Sequence, residues 1–231
     1  MLLKQTNTLI VGAGISGLAS AAALQKQHID YIIIEKQNQI VSAWRNHYER
    51  LHLHTSKRFS NLPFKKFNKA ISRYPGRQEV VDYLDDYRKE FNIQPVFNMG
   101  ANAISRKDGY WITETGDGSF VSEYLIMATG AYSKPKPVCF EGMDTFPGRI
   151  LHSFEYRTGR DFKGQNVLVV GFGNSACEIA IDLYEQGSIP SMSVRSPVNV
   201  IPRDVLGLPV VELSLLLNRL PPRLADAISA P

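Results

Sequence analysis

Residues 9–36 read LIVGAGISGLASAAALQKQHIDYIIIEK, and the reading of this stretch decides the fold class. Leu9–Val11 is a short apolar run, the pattern of a strand buried on both faces. Gly12, Gly14 and Gly17 follow in the spacing G-x-G-x-x-G. The first glycine permits a tight turn out of the strand. The second lets backbone approach a pyrophosphate, and the third lets the next helix pack closely on the sheet. Ala19 to Lys26 is a good helix former whose N-terminal end offers unpaired N–H groups and a positive dipole end to phosphate. Tyr31–Ile34 is a second β-rich run ending at Glu35, placed to accept a hydrogen bond from a ribose 2′-OH. An ordinary glycine turn in a βαβ unit is the competing reading. The strand before, the helix after and the acid at the end of the next strand weigh against it. Glu35 would repel a 2′-phosphate, so the site is predicted to take FAD or NAD and not NADP.

The chain has 231 residues, room for one large domain or two small ones. A net charge of +4 suits anionic cofactors and gives no reason to invoke nucleic acid. Cys139 and Cys177 form no C-x-x-C pair, which points to a reducing compartment with neither a disulfide framework nor a zinc site. No apolar run reaches membrane-spanning length and the N-terminus lacks a signal-peptide pattern, so a soluble cytoplasmic protein is expected.

Beyond Glu35 the chain carries Ala43-Trp44-Arg45 and then Leu51 to Lys57, LHLHTSK. His47, His52 and His54 lack a carboxylate or thiol at ligand spacing, and no metal is predicted. Asn61 to Pro75, with two prolines and a run of Lys and Arg, reads as a surface loop. Its basic residues are either a solvated face or a lure for cofactor phosphates. Gln78 to Phe91 has the spacing of an amphipathic helix. Val96 to Tyr124 reads as a β-meander, with Tyr110–Thr115 and Phe120–Tyr124 flanking the turn signal Asp117-Gly118. Leu125–Met127 reads as a further buried strand running into Ala128-Thr129-Gly130, a small-residue end suited to close backbone approach to a dinucleotide.

A second nucleotide signal follows. Asn166–Val170 is a predicted strand, then Gly171-Phe172-Gly173-Asn174-Ser175-Ala176 in the pattern G-x-G-x-x-A, then a helix from about Ala176 to Gln186. The next strand, Ser191–Val194, ends in Arg195-Ser196 with no acid. Arginine there can pair with a 2′-phosphate, so the second site is predicted to prefer NADP(H). A surface arginine in a structural βαβ unit is the alternative. Val205–Leu217 is mostly apolar and reads as a helix, followed by Pro221-Pro222 and a short tail. The fold class is α/β, with two Rossmann-like three-layer units, the first with a meander insertion and the second incomplete. The predicted division is 1–137 for the first, 138–163 for a linker and 164–231 for the second.

Two dinucleotide units with Phe146-x-Gly148-x-x-x-His152-x-x-x-Tyr156 between them resemble the class B flavin-containing monooxygenases. Residues 50–63 (RLHLHTSKRFSNLP), Tyr74-Pro75, Ala128-Thr129-Gly130, Gly171-x-Gly173-Asn174-Ser175 and Val200-x-Pro202-Arg203 look most like the YUCCA-type branch, which includes indole-3-pyruvate monooxygenases. The resemblance implies that NADPH reduces FAD, that O₂ forms a C4a-hydroperoxide on it, and that one oxygen atom passes to a small organic substrate. It places FAD on Gly12, Gly14, Ser16, Gly17, Glu35, Trp44 and Ala128 to Gly130, with His54 and Thr55 near the flavin. It places NADP on Gly171, Gly173, Asn174, Ser175, Arg195 and Ser196. His152 and Tyr156 either brace a junction between domains or simply pack. His54 stands where mammalian relatives carry asparagine. The family continues well past residue 231, so a truncated enzyme is expected. Two rival readings remain. One is a dinucleotide-binding flavoprotein without turnover. The other is a pyridine-nucleotide disulfide reductase, for which Cys139 and Cys177 supply no obvious redox pair. The substrate (indole-3-pyruvate, an amine, a sulfide or a ketone) and the oligomeric state are left open.

Overall fold

The computed structural model describes residues 2–131, 135–217, 221 and 224. The chain divides into two compact units. The first holds Met1–Leu51, Asn61–Ile71 and Gly76–Thr158; the second holds His52–Ser60, Ser72–Pro75 and Gly159–Pro231. Two short pieces from the first half of the chain thus belong with the second unit.

In the first unit, β1 (Leu2–Val11), α1 (Ile15–Lys26) and β2 (Tyr31–Ile34) form a β-α-β element with β1 and β2 parallel, Val11 opposite Ile34. The apolar run does become the sheet's centre: Leu9 and Ile10 are fully buried. The buried face of α1 is Gly17, Leu18, Ala21 and Ala22, and its glycine and two alanines let the helix lie close to the strands. After the four-residue α2 (Ser42–Arg45), α3 (Arg77–Glu90) buries Val80, Val81, Tyr83, Leu84 and Tyr87. Its start is secured by Glu79, whose carboxylate accepts the Gly76 N–H at 2.8 Å. The Tyr83 hydroxyl donates to the Lys65 carbonyl and accepts from the Leu62 N–H, both at 2.8 Å, and the Tyr87 hydroxyl donates to the Pro63 carbonyl at 3.0 Å. Burial first, then the neighbouring Tyr83 and Glu90, pushes the Tyr87 hydroxyl up to about 12. The basic loop is therefore fastened onto α3, and Lys65 is spent on Glu90 at 2.7 Å.

The sheet is completed by β3 (Ala103–Lys107), β4 (Tyr110–Thr115) and β5 (Gly118–Met127), in the order β2-β1-β5-β4-β3. The first three strands in that order are parallel, and the last two join antiparallel. The meander reading needs three corrections. Its final strand and the predicted strand Leu125–Met127 are one continuous strand: β5 pairs with β4 over its first residues and with β1 over its whole length. Its end is not buried, since Met127 is 54% exposed. The turn residues are Gly116 and Asp117, because Thr115 pairs with Gly118. The Asp-Gly pair that does turn a hairpin is Asp108-Gly109, with φ of 50° and 86°, the mirror-image turn that matches strand twist.

In the second unit, β6 (Asn166–Val170), α4 (Asn174–Glu185) and β7 (Ile189–Ser193) repeat the β-α-β element, with β6 and β7 parallel. Only these two strands form the sheet among the described residues. With α4 packed against them, alternate side chains face outward, Leu168 at 63% and Val170 at 55% exposure. The predicted helix over 205–217 is instead a hairpin followed by a helix: β8 (Asp204–Val205), β9 (Leu208–Pro209) and α5 (Val210–Leu217). Leu206-Gly207, both at positive φ, turns the hairpin and excludes helix there. Pro222 and most of the predicted tail lie outside the described residues. Among the described residues, no helix is long and apolar enough to cross a membrane, and no group of three or more His, Cys, Asp or Glu could hold a metal ion.

Candidate functional site

The three glycines of the first turn differ in what forces them. Gly12 has φ of +106°, and a Cβ there would sit 2.5 Å from the Ala128 carbonyl oxygen. A Cβ on Gly17 would overlap the Gly12 carbonyl oxygen. Gly14 is different: it caps α1 at φ of −83°, and a Cβ there would meet nothing within 4 Å. The chain itself does not require glycine at 14. The open space beside it, at the first N–H groups of a twelve-residue helix, fits a pyrophosphate approaching the backbone. Ser16 is exposed on this first turn of α1.

Around this turn the structure gathers several predicted residues. The Ala128 N–H donates to the Val11 carbonyl at 2.9 Å, bringing the small-residue end of β5 beside Gly12. Thr129 and Gly130 are exposed, Gly130 at φ of +76°. The Glu35 carboxylate accepts the Ala13 N–H at 2.8 Å through Oε2 and the Gln37 N–H at 3.0 Å through Oε1. Both bonds hold it at the end of β2 and leave further lone pairs on each oxygen for a hydroxyl. Sequence reading missed that Glu35 also secures the glycine turn. It likewise missed Val41, which donates to the Ala13 carbonyl at 3.1 Å from a left-handed φ of 57°. No residue pattern announces that contact. Trp44 is half-buried on α2.

The second turn copies the first at a constant offset along the chain. The Gly12 N–H donates to the Ile34 carbonyl at 2.8 Å, and the Gly171 N–H donates to the Ser193 carbonyl at 2.9 Å. Gly171 has φ of +120°; Gly173 caps α4 at φ of −79°, and a Cβ on it would meet nothing within 4 Å. Asn174 and Ser175 begin α4, as Ile15 and Ser16 begin α1. By this register the counterpart of Glu35 is Val194, and Arg195 and Ser196 are the next, exposed, residues. The second turn therefore offers no carboxylate at the place where the first does, and a guanidinium immediately after it.

His54 and Thr55 lie in the second unit, apart from the residues of the first turn in the division of the chain. His54 is exposed, and Thr55 Oγ1 lies 2.7 Å from Ser60 Oγ. The structure brings a carboxylate near one histidine that sequence spacing did not: His52 Nδ1 is 3.8 Å from Glu178 Oε2. His47 belongs to the first unit, where burial first, then Arg157 and Arg77, holds its imidazole below its ordinary range; its Nδ1 accepts the Tyr48 N–H at 3.1 Å. His152 ties a local turn, its N–H donating to Glu155 at 2.8 Å. Tyr156 is buried edge-on against Tyr48, ring centroids 6.1 Å apart. Cys139 is exposed and Cys177 is half-buried on α4; both are free thiols.

Residues 9–204 match the family model described as pyridine nucleotide-disulphide oxidoreductase. The chain is 42% identical to indole-3-pyruvate monooxygenase YUCCA6 of Arabidopsis thaliana, over 96% of this chain and 55% of that protein. A flavin-containing monooxygenase from Stenotrophomonas maltophilia superposes with a TM-score of 0.79 at 24% identity, covering 97% of this chain and 68% of that one. A cyclohexanone monooxygenase mutant from Rhodococcus sp. Phi1, solved bound to NADP+, superposes with a TM-score of 0.74 at 20% identity, covering 86% of this chain and 40% of that one. At those identities the two structures speak for the fold. The chain spans about half the length of the curated relatives it matches.

Proposed function

Because the chain belongs to the pyridine nucleotide-disulphide oxidoreductase family, we propose that it is the dinucleotide-binding part of an FAD- and NADPH-dependent monooxygenase that oxygenates a small organic substrate with O₂. In this reading the two β-α-β elements are Rossmann-like units. FAD lies on Gly12, Gly14, Ser16, Gly17, Glu35, Trp44 and the Ala128–Gly130 end of β5, with His54 and Thr55 beside the flavin. NADP(H) lies on Gly171, Gly173, Asn174, Ser175, Arg195 and Ser196. The observation that carries the reading is the pair of glycine-capped helices. Each keeps open the space a Cβ would fill, and at the end of the second strand they differ in charge, Glu35 against Val194. The helix N-termini would hold the two pyrophosphates. Glu35 would accept from the ribose of the first nucleotide, and Arg195 would pair with the 2′-phosphate of the second. When bound, the flavin supplies the redox chemistry, taking hydride from NADPH and passing oxygen from O₂ to substrate. The likeness to YUCCA6 makes indole-3-pyruvate the first substrate to try, ahead of amines, sulfides and ketones. Two unpaired thiols fit a reducing compartment such as the cytoplasm.

A disulfide reductase would use the same folds but needs two thiols acting as a pair, whereas Cys139 and Cys177 are free thiols in no C-x-x-C spacing. The deciding experiment is the absorbance spectrum of the purified chain. A flavin band at about 450 nm that bleaches anaerobically with NADPH supports the proposal. A chain that takes up no FAD on titration refutes it. Bleaching followed by NADPH-dependent reduction of a disulfide, without oxygenated product, transfers the chain to the rival class.

A further inference from the structure

Thr55 sits in a segment whose shape is set by a residue far along the chain. Within the second unit, Ser56 is only 4% exposed, and its hydroxyl donates to Glu212 Oε1 on α5 at 2.8 Å. Ser56 also begins the single helical turn Lys57–Phe59, and its carbonyl accepts the Ser60 hydroxyl at 3.0 Å. Ser60 has one hydroxyl hydrogen. With that hydrogen on the Ser56 carbonyl, Thr55 is the donor in the 2.7 Å Thr55–Ser60 pair. In that arrangement every hydroxyl of the chain is used, and Thr55 Oγ1 keeps its lone pairs for an incoming N–H or O–H; with the Ser60 hydrogen on Thr55 instead, Thr55 offers its own O–H.

The backbone next to this chain is fixed from the same side. The Lys57 N–H donates to the Arg73 carbonyl at 2.8 Å and the Leu53 N–H to the Pro75 carbonyl at 2.9 Å, so residues 52–60 ride on residues 72–75. Those in turn are held by Asp204, which accepts the Tyr74 hydroxyl at 2.7 Å, while the Arg203 guanidinium lies 4.0 Å over the Tyr74 ring. Burial raises the Tyr74 hydroxyl above its ordinary range, and the bond to Asp204 raises it further, so it remains a donor.

We propose that Glu212 is a positioning residue: by fixing Ser56 it sets the Thr55–Ser60 hydroxyl chain and so the place at which Thr55 presents its hydroxyl to the flavin. This rests on the placement of Thr55 beside the flavin in the function proposed above. Glu212 acts on the segment mainly through the buried Ser56 hydroxyl, its other oxygen lying 4.0 Å from the guanidinium of the largely exposed Arg58.

The test compares the full chain with its Glu212→Ala and Glu212→Gln variants in two measurements. The first is amide hydrogen exchange without cofactor. Glu212→Ala is expected to speed exchange across residues 52–60 and leave β6 and α4 unchanged, and Glu212→Gln, whose amide oxygen still accepts from Ser56, is expected to restore protection. The second is anaerobic flavin bleaching by NADPH. Glu212→Ala is expected to slow the saturated rate by roughly ten- to a hundredfold with KM for NADPH unchanged, and Glu212→Gln to recover most of it. Unchanged exchange in 52–60 overturns the inference. So does changed exchange with an unchanged bleaching rate, or a loss in the Ala variant that Gln does not rescue. If the unmodified chain takes up no FAD, the proposed function fails, while the exchange comparison still decides whether Glu212 holds the segment.

Discussion

Gly14 allows the fold and the proposed cofactor site to be separated by single substitutions. Gly14→Ala places a Cβ where no protein atom lies within 4 Å, on a backbone with φ of −83° that alanine adopts freely. The remaining cost is that of alanine for glycine at a helix N-cap, about 0.5–1 kcal/mol. Gly12→Ala carries the strain of a positive φ, about 1–3 kcal/mol, and drives its Cβ toward the Ala128 carbonyl, which is backbone and cannot turn away. Gly17→Ala meets the Gly12 carbonyl in the same way. For a chain of this size each kcal/mol moves Tm by about 2–4 °C. Without flavin, Gly14→Ala should therefore melt within a few degrees of the unmodified chain, and Gly12→Ala and Gly17→Ala well below it. Flavin content should rank differently. Gly14→Val, with its larger side chain in the pyrophosphate's space, should be folded and colourless. Thermal unfolding of the flavin-free chains, paired with FAD titration, reads both quantities. Flavin retained by a folded Gly14→Val chain would refute the site. A Gly14→Ala chain that melts as low as Gly17→Ala would refute the claim that residue 14 is glycine for the ligand's sake.

Arg195→Ala should weaken NADPH binding by about ten- to a hundredfold, the loss of a charge-assisted pair of about 1.5–3 kcal/mol, and leave NADH nearly unchanged; nucleotide titrations measure this, and equal losses would remove Arg195 from the site. Val194→Glu, which copies Glu35 into the second turn, should shift the same titrations toward NADH, and an unchanged preference would show that the register does not govern the ribose. His47 contributes a pH dependence whose sign follows from its lowered pKa. Above its unfolded pKa, about 6.5, both states are neutral; as pH falls below that, the unfolded chain takes up a proton first and stability drops until the folded pKa is passed. Thermal unfolding of His47→Asn should therefore fall less steeply between pH 7 and 5, and an identical slope in both chains would refute the assignment.

The first β-α-β element was legible because everything that makes it is local. Strand, turn and helix N-terminus follow one another within residues 9–26, and β2 with Glu35 comes next. The same holds for Asn166 to Ser193. What escaped reading depends on partners distant in sequence. β5 is one strand and not two because β1, more than a hundred residues earlier, pairs along all of it, and no local pattern marks where one partner takes over from another. Asp108-Gly109 and Asp117-Gly118 are the same signal in sequence, and only the pairing of the strands shows that the first turns a hairpin while at the second the strand begins at the glycine itself. The apolar content of 205–217 suggested one helix because hydrophobicity outweighed Leu206-Gly207, two residues whose backbone turns a hairpin. Glu212 is not singled out by sequence, since its partner Ser56 lies far back in Leu51 to Lys57, a stretch to which the pattern assigns no element.

The two glycine turns share a backbone but not the reason for it. In the first, β5 ends alongside β1 and presses the Ala128 carbonyl against Gly12, so both φ and space exclude a side chain. In the second, among the described residues, no strand pairs with β6 on the side away from β7, and a Cβ on Gly171 would meet only the Ala176 Cβ, at 4.0 Å. Gly171 is thus required by its φ of +120° alone. The conformation survives without the neighbour that would enforce it, because the bond from the Gly171 N–H to the Ser193 carbonyl and the start of α4 at Asn174 already determine the turn. A phosphate-binding turn is in this sense a property of one β-α-β element. In the proposed function, the nucleotide each turn prefers would be set by the side chain that follows the second strand, a carboxylate at 35 and its replacement by valine and arginine at 194 and 195.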